Sequence, residues 1–261
     1  MSAESRLAPR FAAARSQGRT ALVPYLMAGF PHRRGFAALV ERVAAHADVL
    51  ELGLPFSDPS ADGPAIAAAA RAALADGVTL EWTCALAAEL GGAPPLVLMS
   101  YLNPLLAPGL ERSLDRLAAA GFAGLIVPDV PLEESGSLRA LAAERALDLV
   151  QLVTPLTPPP RARRIAEVSR GFLYAVTRAG TTGPRAEPRA LAGYLARLRA
   201  LAPLPVCAGF GLRDPEQVRD LSGKCDGAVV GSALIERLAR GEDPVALLES
   251  LSAAAAAGAA P

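Results

Sequence analysis

The sequence predicts an α/β protein, a single (β/α)8 TIM barrel with extra helices, and three observations carry that prediction. Eight short apolar runs recur along the 261 residues, each run is followed by a loop and an amphipathic stretch, and no linker or shift of composition divides the chain. Near-continuous apolar strands are those covered on both faces, as in parallel sheets. Eight βα units in a chain of this length close into a barrel better than they spread into an open sheet. The domain is expected to span 1–261, with an N-terminal helix within 1–18 and an Ala-rich, frayed tail at 252–261.

The runs are Ala21–Met27, Val49–Gly53, Pro95–Met99, Gly124–Val127, Asp148–Val153, Phe172–Val176, Val206–Gly209 and Gly227–Val230. Between them the apolar residues return at helical spacing. Phe36, Leu39, Val40 and Val43 share one face, as do Leu110, Leu114 and Leu117, and again Leu191, Tyr194, Leu195 and Leu198. The gap between the second and third runs is longer than the others and leaves room for an extra helix around Leu80–Leu90.

Composition excludes several classes of function. Formal net charge is zero and the arginines are spread among acidic neighbours, so no basic stripe exists to displace counterions from nucleic acid. The polar N-terminus predicts no signal peptide, and no apolar run is long enough to span a bilayer. Cys84, Cys207 and Cys225 are irregularly spaced, which suits buried thiols in a reducing cytoplasm. His32 and His46 form no ligand pair, so neither a zinc site nor any other metal site is expected.

In a barrel of this kind, chemistry belongs to the loops at the C-terminal ends of the strands. The stretch Leu50–Pro64, LELGLPFSDPSADGP, puts a carboxylate inside the second strand. Alternation turns Val49, Glu51 and Gly53 to one face and Leu50 and Leu52 to the other. The leucines suit the helix-facing side, so Glu51 points into the barrel with Gly53 leaving space above it. Burial would raise its pKa towards a value useful for proton transfer.

The other polar residues at the strand ends divide less cleanly. Asp62, before Gly63-Pro64, serves equally well as a helix cap or as a site carboxylate. Asp58 in SDP is better read as a turn former. Asn103 in SYLNP and Asp129 in VPDVP are slightly better read as turn organisers beside proline, and an aromatic such as Tyr174 within a strand is more often core. RAGTTG, AGFG and GSAL end the last three strands. Together they make a phosphate signal from backbone amides, the last passing straight into a helix N-terminus.

Covalent routes lack their residues. Lys224, the only lysine, precedes the eighth strand, on the side away from the catalytic loops. A Schiff-base aldolase needs a lysine near the strand ends, a metal aldolase needs a ligand cluster, and no GxSxG elbow is present. Acid–base work by carboxylates on a phosphorylated small molecule remains.

LELGLPFSDPSADGP, SYLNP, PDVPLEES, TRAGTTG and GFGLRDPEQV, in that order from about Leu22 to Leu234, closely resemble the motifs of the tryptophan synthase alpha subunit family. The resemblance implies a cytoplasmic lyase that cleaves indole-3-glycerol phosphate to indole and glyceraldehyde 3-phosphate without a cofactor. It would act beside a beta subunit in an α2β2 complex, and the Pro55–Pro59 loop and the Tyr101–Asn103 region match the surface that meets this partner. By the same resemblance Glu51 is the general acid/base and Asp62 the carboxylate that binds the indole N–H. Tyr25, Ile66, Ile126, Phe210 and Val229 match the apolar indole pocket, and Tyr101 and Tyr174 match positions near the substrate. Thr182 and Arg178 match a mobile sixth loop, with Thr182 meeting Asp62 on closure. Gly183, Gly211, Gly231 and Ser232 match the phosphate site. AGFPHRR departs from the pattern in lacking an acidic residue, and Ser60 stands where an apolar residue is usual. The same lyase acting alone, a non-catalytic barrel and, more distantly, a phosphosugar isomerase are the alternatives; intact Glu51 and Asp62 argue against the second, and the Glu51 loop pattern suits the third poorly.

Overall fold

The computed structural model of the chain describes residues 4–91, 94–177, 188–209 and 211–257. Eight parallel strands, β1 (Ala21–Met27), β2 (Leu50–Gly53), β3 (Leu96–Met99), β4 (Gly124–Ile126), β5 (Asp148–Val153), β6 (Leu173–Val176), β7 (Val206–Gly209) and β8 (Gly227–Val230), close in chain order, with β8 against β1. Their bounds lie within a residue of the apolar runs at each end. The runs are visible in sequence because the strands are buried on both faces, as in a covered parallel sheet.

The helices pack outside: α1 (Ala8–Ser16), α2 (Phe36–Ala44), α3 (Pro64–Ala75), α4 (Leu80–Glu89), α5 (Leu102–Leu106), α6 (Leu110–Ala119), α7 (Gly136–Glu144), α8 (Pro159–Val168), α9 (Pro188–Leu201), α10 (Pro215–Leu221), α11 (Ser232–Ala239) and α12 (Val245–Ala257). Helix α4 fills the long second crossover, started by Thr79, whose hydroxyl accepts from the Trp82 amide at 3.2 Å. The faces expected to be apolar are the buried ones: Phe36, Val40 and Val43 on α2, Leu114 and Leu117 on α6, and Tyr194, Leu195 and Leu198 on α9. Of the stretch 252–261 expected to fray, residues 252–257 form the last turns of α12, where Ala254 and Ala255 are buried and the Ala255 carbonyl accepts from the Thr20 amide at 3.3 Å, and 258–261 lie outside the described residues. Methyl groups packed against β1 hold that end in place.

Carboxylates fasten the N-terminal end of the barrel. Asp48, just before β2, takes two bonds of 2.7 Å from Arg19 and one of 2.8 Å from the Leu22 amide of β1. Asp226, just before β8, accepts from the Val206 amide of β7 at 2.8 Å and pairs with Arg15 at 3.0 Å. Asp148, first in β5, is held by Ser5 and by Arg170 at 3.2 Å. Asp48 and Asp226 close strand-to-strand contacts and Asp148 ties β5 to the segments before α1 and β6, each with charge-assisted bonds, the kind worth more than neutral ones.

At the other end two glycines make room for aromatic rings. A Cβ on Gly53 would lie 2.1 Å from the Tyr25 hydroxyl, and one on Gly209 would lie 2.3 Å from the Tyr174 hydroxyl. The space that Gly53 leaves is therefore taken by a ring from the neighbouring strand. We predict that Gly53→Ala lowers stability by about 1–3 kcal/mol in urea unfolding, since a buried ring must be displaced. Gly136→Ala, in open space at the start of α7, should be neutral or stabilising.

Candidate active site

The register Tyr25–Glu51–Val97 sets these three residues side by side across β1, β2 and β3, all facing the lumen. Glu51 is 1% exposed, and among the described residues its Oε2 has no hydrogen-bond partner. Burial, and then the charge of Asp62, push its pKa from the usual carboxylate range up to about 8. The side chain is therefore mostly protonated at neutral pH. Tyr25 and Tyr174, both buried, flank it from β1 and β6, and burial raises both phenols so that they stay neutral.

Asp62 belongs to the loop after β2. The N-cap of α3 is Gly63 and no side chain caps that helix, so the capping role that the sequence left open is not realised. Burial raises Asp62 to about 6, while a hydrogen bond with Tyr101 pulls the other way. The Tyr101 hydroxyl also accepts from the Ala61 amide at 2.8 Å, and its ring lies 5.4 Å from Phe56. Tyr101 thereby ties the loop that carries Asp62 to the end of β3.

Ile126 and Val229 face the lumen from β4 and β8, and Ile66 packs half-buried against the same core. The register also turns Met99, Leu152 and Val176 inward near the C-terminal ends of β3, β5 and β6. Sequence reasoning passed over these three, although alternation counted from Asp148 or Phe172 would have found Leu152 and Val176. Leu152 and Val176 line a groove of about 560 Å³ on the rim together with Ser60, Ala61 and Pro128.

Asp58 stands in a bend and Asp129 in a turn, as preferred, whereas Asn103 lies within α5 and not in a turn. Asp129 accepts from the Leu102 amide at 3.0 Å at the start of α5, and Asp58 is exposed and accepts from the Ser57 hydroxyl. The AGFPHRR loop, lacking its own carboxylate, borrows one. The Arg33 amide donates to Asp76 at 2.7 Å and its guanidinium lies 5.1 Å from the Trp82 ring centre. Ser60 is exposed.

Gly231 is the N-cap of α11 and Ser232 its first residue. Gly231 approaches the Tyr25 ring so closely that a Cβ would lie 3.2 Å from it. The first amides of α11 have no carbonyl one turn back within the helix, which makes them anion donors. Gly211, with φ +90°, is half-buried beyond β7. Arg178, Thr182, Gly183 and Phe210 lie outside the described residues. Among the described residues, no cluster of His, Cys, Asp or Glu could hold a metal ion.

The arrangement pairs a neutral, dry carboxyl with a more acidic, partly solvated one. The sign of the linkage follows: folding holds a proton on Glu51 that the unfolded chain releases near pH 4.5. This contribution is fully present below about pH 4.5 and is lost as pH rises through about 8. We predict that Glu51→Gln, compared with wild type by urea unfolding at pH 5 and pH 8, removes a pH-dependent loss of the order of 3 kcal/mol. Equal losses in the two proteins would contradict the shift.

A family model described as "Tryptophan synthase alpha chain" matches residues 11–258. The tryptophan synthase alpha chain of Chloroflexus aurantiacus is 48% identical over 244 residues, covering 90% of this chain and 91% of that one. The one from Nitratidesulfovibrio vulgaris (strain Hildenborough) is 46% identical over 250 residues, covering 94% and 97%. Among solved structures, Mycobacterium tuberculosis tryptophan synthase superposes with a TM-score of 0.88 at 37% identity, covering 97% of this chain and 99% of that one. Tryptophan synthase subunit alpha from Legionella pneumophila gives 0.88 at 30% identity, covering 97% and 98%. By the extent of these matches and the barrel they share, the chain belongs to the tryptophan synthase alpha chain family.

Proposed function

We propose that Glu51 is the group at which the bond is broken in the reaction that family membership gives this chain: cleavage of indole-3-glycerol phosphate to indole and glyceraldehyde 3-phosphate, a lyase step of L-tryptophan biosynthesis. The single observation that carries the assignment is a lumen-facing carboxyl, buried and, among the described residues, unpartnered at Oε2, beside a second carboxylate of lower pKa.

The retro-aldol step needs a proton delivered to indole C3 and a proton removed from the side-chain hydroxyl next to the breaking bond. Protonated Glu51 supplies the first, and the carboxylate so formed takes the second, so the group is regenerated within one turnover. As C3 is protonated, positive charge develops on the ring nitrogen. Asp62, ionised above about pH 6, accepts the N–H and stabilises that charge. The two environments push two carboxyls apart in pKa and thereby divide the labour.

Tyr25, Ile66, Ile126 and Val229 form the apolar walls for the flat ring, with Phe210 as a further member. Tyr174 lies by the glycerol chain, and Tyr101 positions Asp62 from outside the ring. The phosphate falls to the amides of Gly211, Gly231 and Ser232 and to Gly183, and Thr182 of the sixth loop meets Asp62 on closure.

The partner is a tryptophan synthase beta subunit in an α2β2 complex, in the cytoplasm. A groove of about 540 Å³ lined by Pro55, Phe56, Leu74, Asn103 and Pro104 supports a docking face next to the loop that carries Asp62. Buried free thiols suit a reducing compartment. No helix among the described residues is long and apolar enough to cross a membrane.

Two measurements test this. Indole release should follow a bell in kcat/KM with limbs near pH 6 and pH 8. Glu51→Gln should lose about 10³-fold or more and Asp62→Asn about 10²-fold. A folded Glu51→Gln protein turning over at the wild-type rate would overturn the assignment. In gel filtration with a beta subunit, wild type should co-elute as α2β2, and Leu74→Glu should weaken the complex about tenfold or more with unaltered intrinsic cleavage.

A further inference from the structure

Three glycines at the base of the barrel have residues from outside the sheet against their side-chain space, beside Asp148 of β5 at Gly124 and Cys207 of β7 at Gly227. A Cβ on Gly124 would lie 3.2 Å from Leu7 Cδ1, and one on Gly171 would lie 2.7 Å from the same atom. On Gly227 it would lie 2.9 Å from Phe11 Cε1. Leu7 and Phe11 are fully buried, although they belong to the segment that precedes β1. Gly124 is in register with Val97, and Val97 with Glu51. Leu7 therefore shares with Asp148 the space beside Gly124, in the lumenal row that runs to Glu51. Phe11 continues the filling towards Phe172 at 5.3 Å, whose ring lies 6.3 Å from that of Tyr174.

The segment is fastened where it enters. The Ser5 hydroxyl donates to Asp148 and accepts from the Leu7 and Ala8 amides at 3.2 and 3.0 Å, and Arg6 donates to the Gly121 and Phe122 carbonyls.

We propose that Ser5–Phe11 is a plug that denies water access to Glu51 from below, and that Leu7 is thereby a positioning residue for proton transfer. The inference rests on the acid/base role of Glu51 argued above. The groups facing Glu51 are Tyr25 on β1, Asp62 after β2, Tyr174 on β6 and Cys207 on β7. Asp148 on β5 is already neutralised by Arg170. None of these is a cation that would favour the carboxylate, so burial first, and the charge of Asp62 second, keep Glu51 protonated. A polar atom at position 7 would admit water to the row and let the carboxylate form earlier.

The test labels glutamate carboxyls with 13C and follows the Glu51 resonance, assigned by its loss in Glu51→Gln, against pH. Leu7→Asn should bring the midpoint down from about 8 by about one pH unit or more. Leu7→Met should leave it in place. Asp48→Asn, which weakens the base outside the lumen, should lower stability without moving the midpoint. Leu7→Thr stands in should Leu7→Asn not fold. A folded polar variant with the wild-type midpoint, or an equal shift in Asp48→Asn, overturns the plug. A second readout separates the two ideas: the alkaline limb of kcat/KM should move with the midpoint. If the midpoint moves and the limb stays, the plug stands and the acid/base role of Glu51 falls.

Discussion

One buried carboxyl, whose Oε2 has no hydrogen-bond partner among the described residues, governs this structure. Removing a charged carboxylate from water without a partner costs more than most folds can offset, so the group keeps its proton instead. Glu51 does so because the lumen around it is closed by rings and branched side chains, with Val97, Ile126 and Val229 facing the same space. Remove that closure and the carboxyl would be an ordinary acid of pKa 4.5, unable to hold a proton at neutral pH.

The same chain shows what a carboxylate looks like when its work is structural. Asp48 and Asp226 each have an arginine and a backbone amide as partners, and buried Asp148 is bound by Ser5 and Arg170. All three lie at the N-terminal end, where they tie strand to strand or anchor the segment that seals the base. Glu51 and Asp62, towards the opposite end, have no arginine among the groups that shift them. The barrel is thus divided along its axis: paired charge and filling side chains at the base, unpaired acid and glycine-rich turns at the rim. Stability and chemistry are kept apart in the manner usual for this architecture.

Much of this was legible in the sequence, and the reasons are local. Strand positions follow from runs of apolar residues, and the inward turn of Glu51 follows from alternation with Leu50 and Leu52. What escaped depends on contacts between distant segments. The ring of Tyr25 in the space above Gly53, the side chain of Leu7 in the space beside Gly124, and the inward turn of Leu152 are set by neighbours across the sheet. Of the two roles open to Asp62, capping fell away only when Gly63 proved to be the cap and Tyr101 the carboxylate's partner. Likewise the alanines of 252–257 look featureless in sequence, yet pack because small residues let α12 come close to β1.

The central claim is a proton on Glu51 at neutral pH. Neutron diffraction from perdeuterated crystals grown at pH 7 observes it directly. The account predicts a deuteron on the Glu51 carboxyl and no cationic group in contact with it. A bare carboxylate held by a positive side chain, or one reached by a chain of ordered waters from the base, would contradict it.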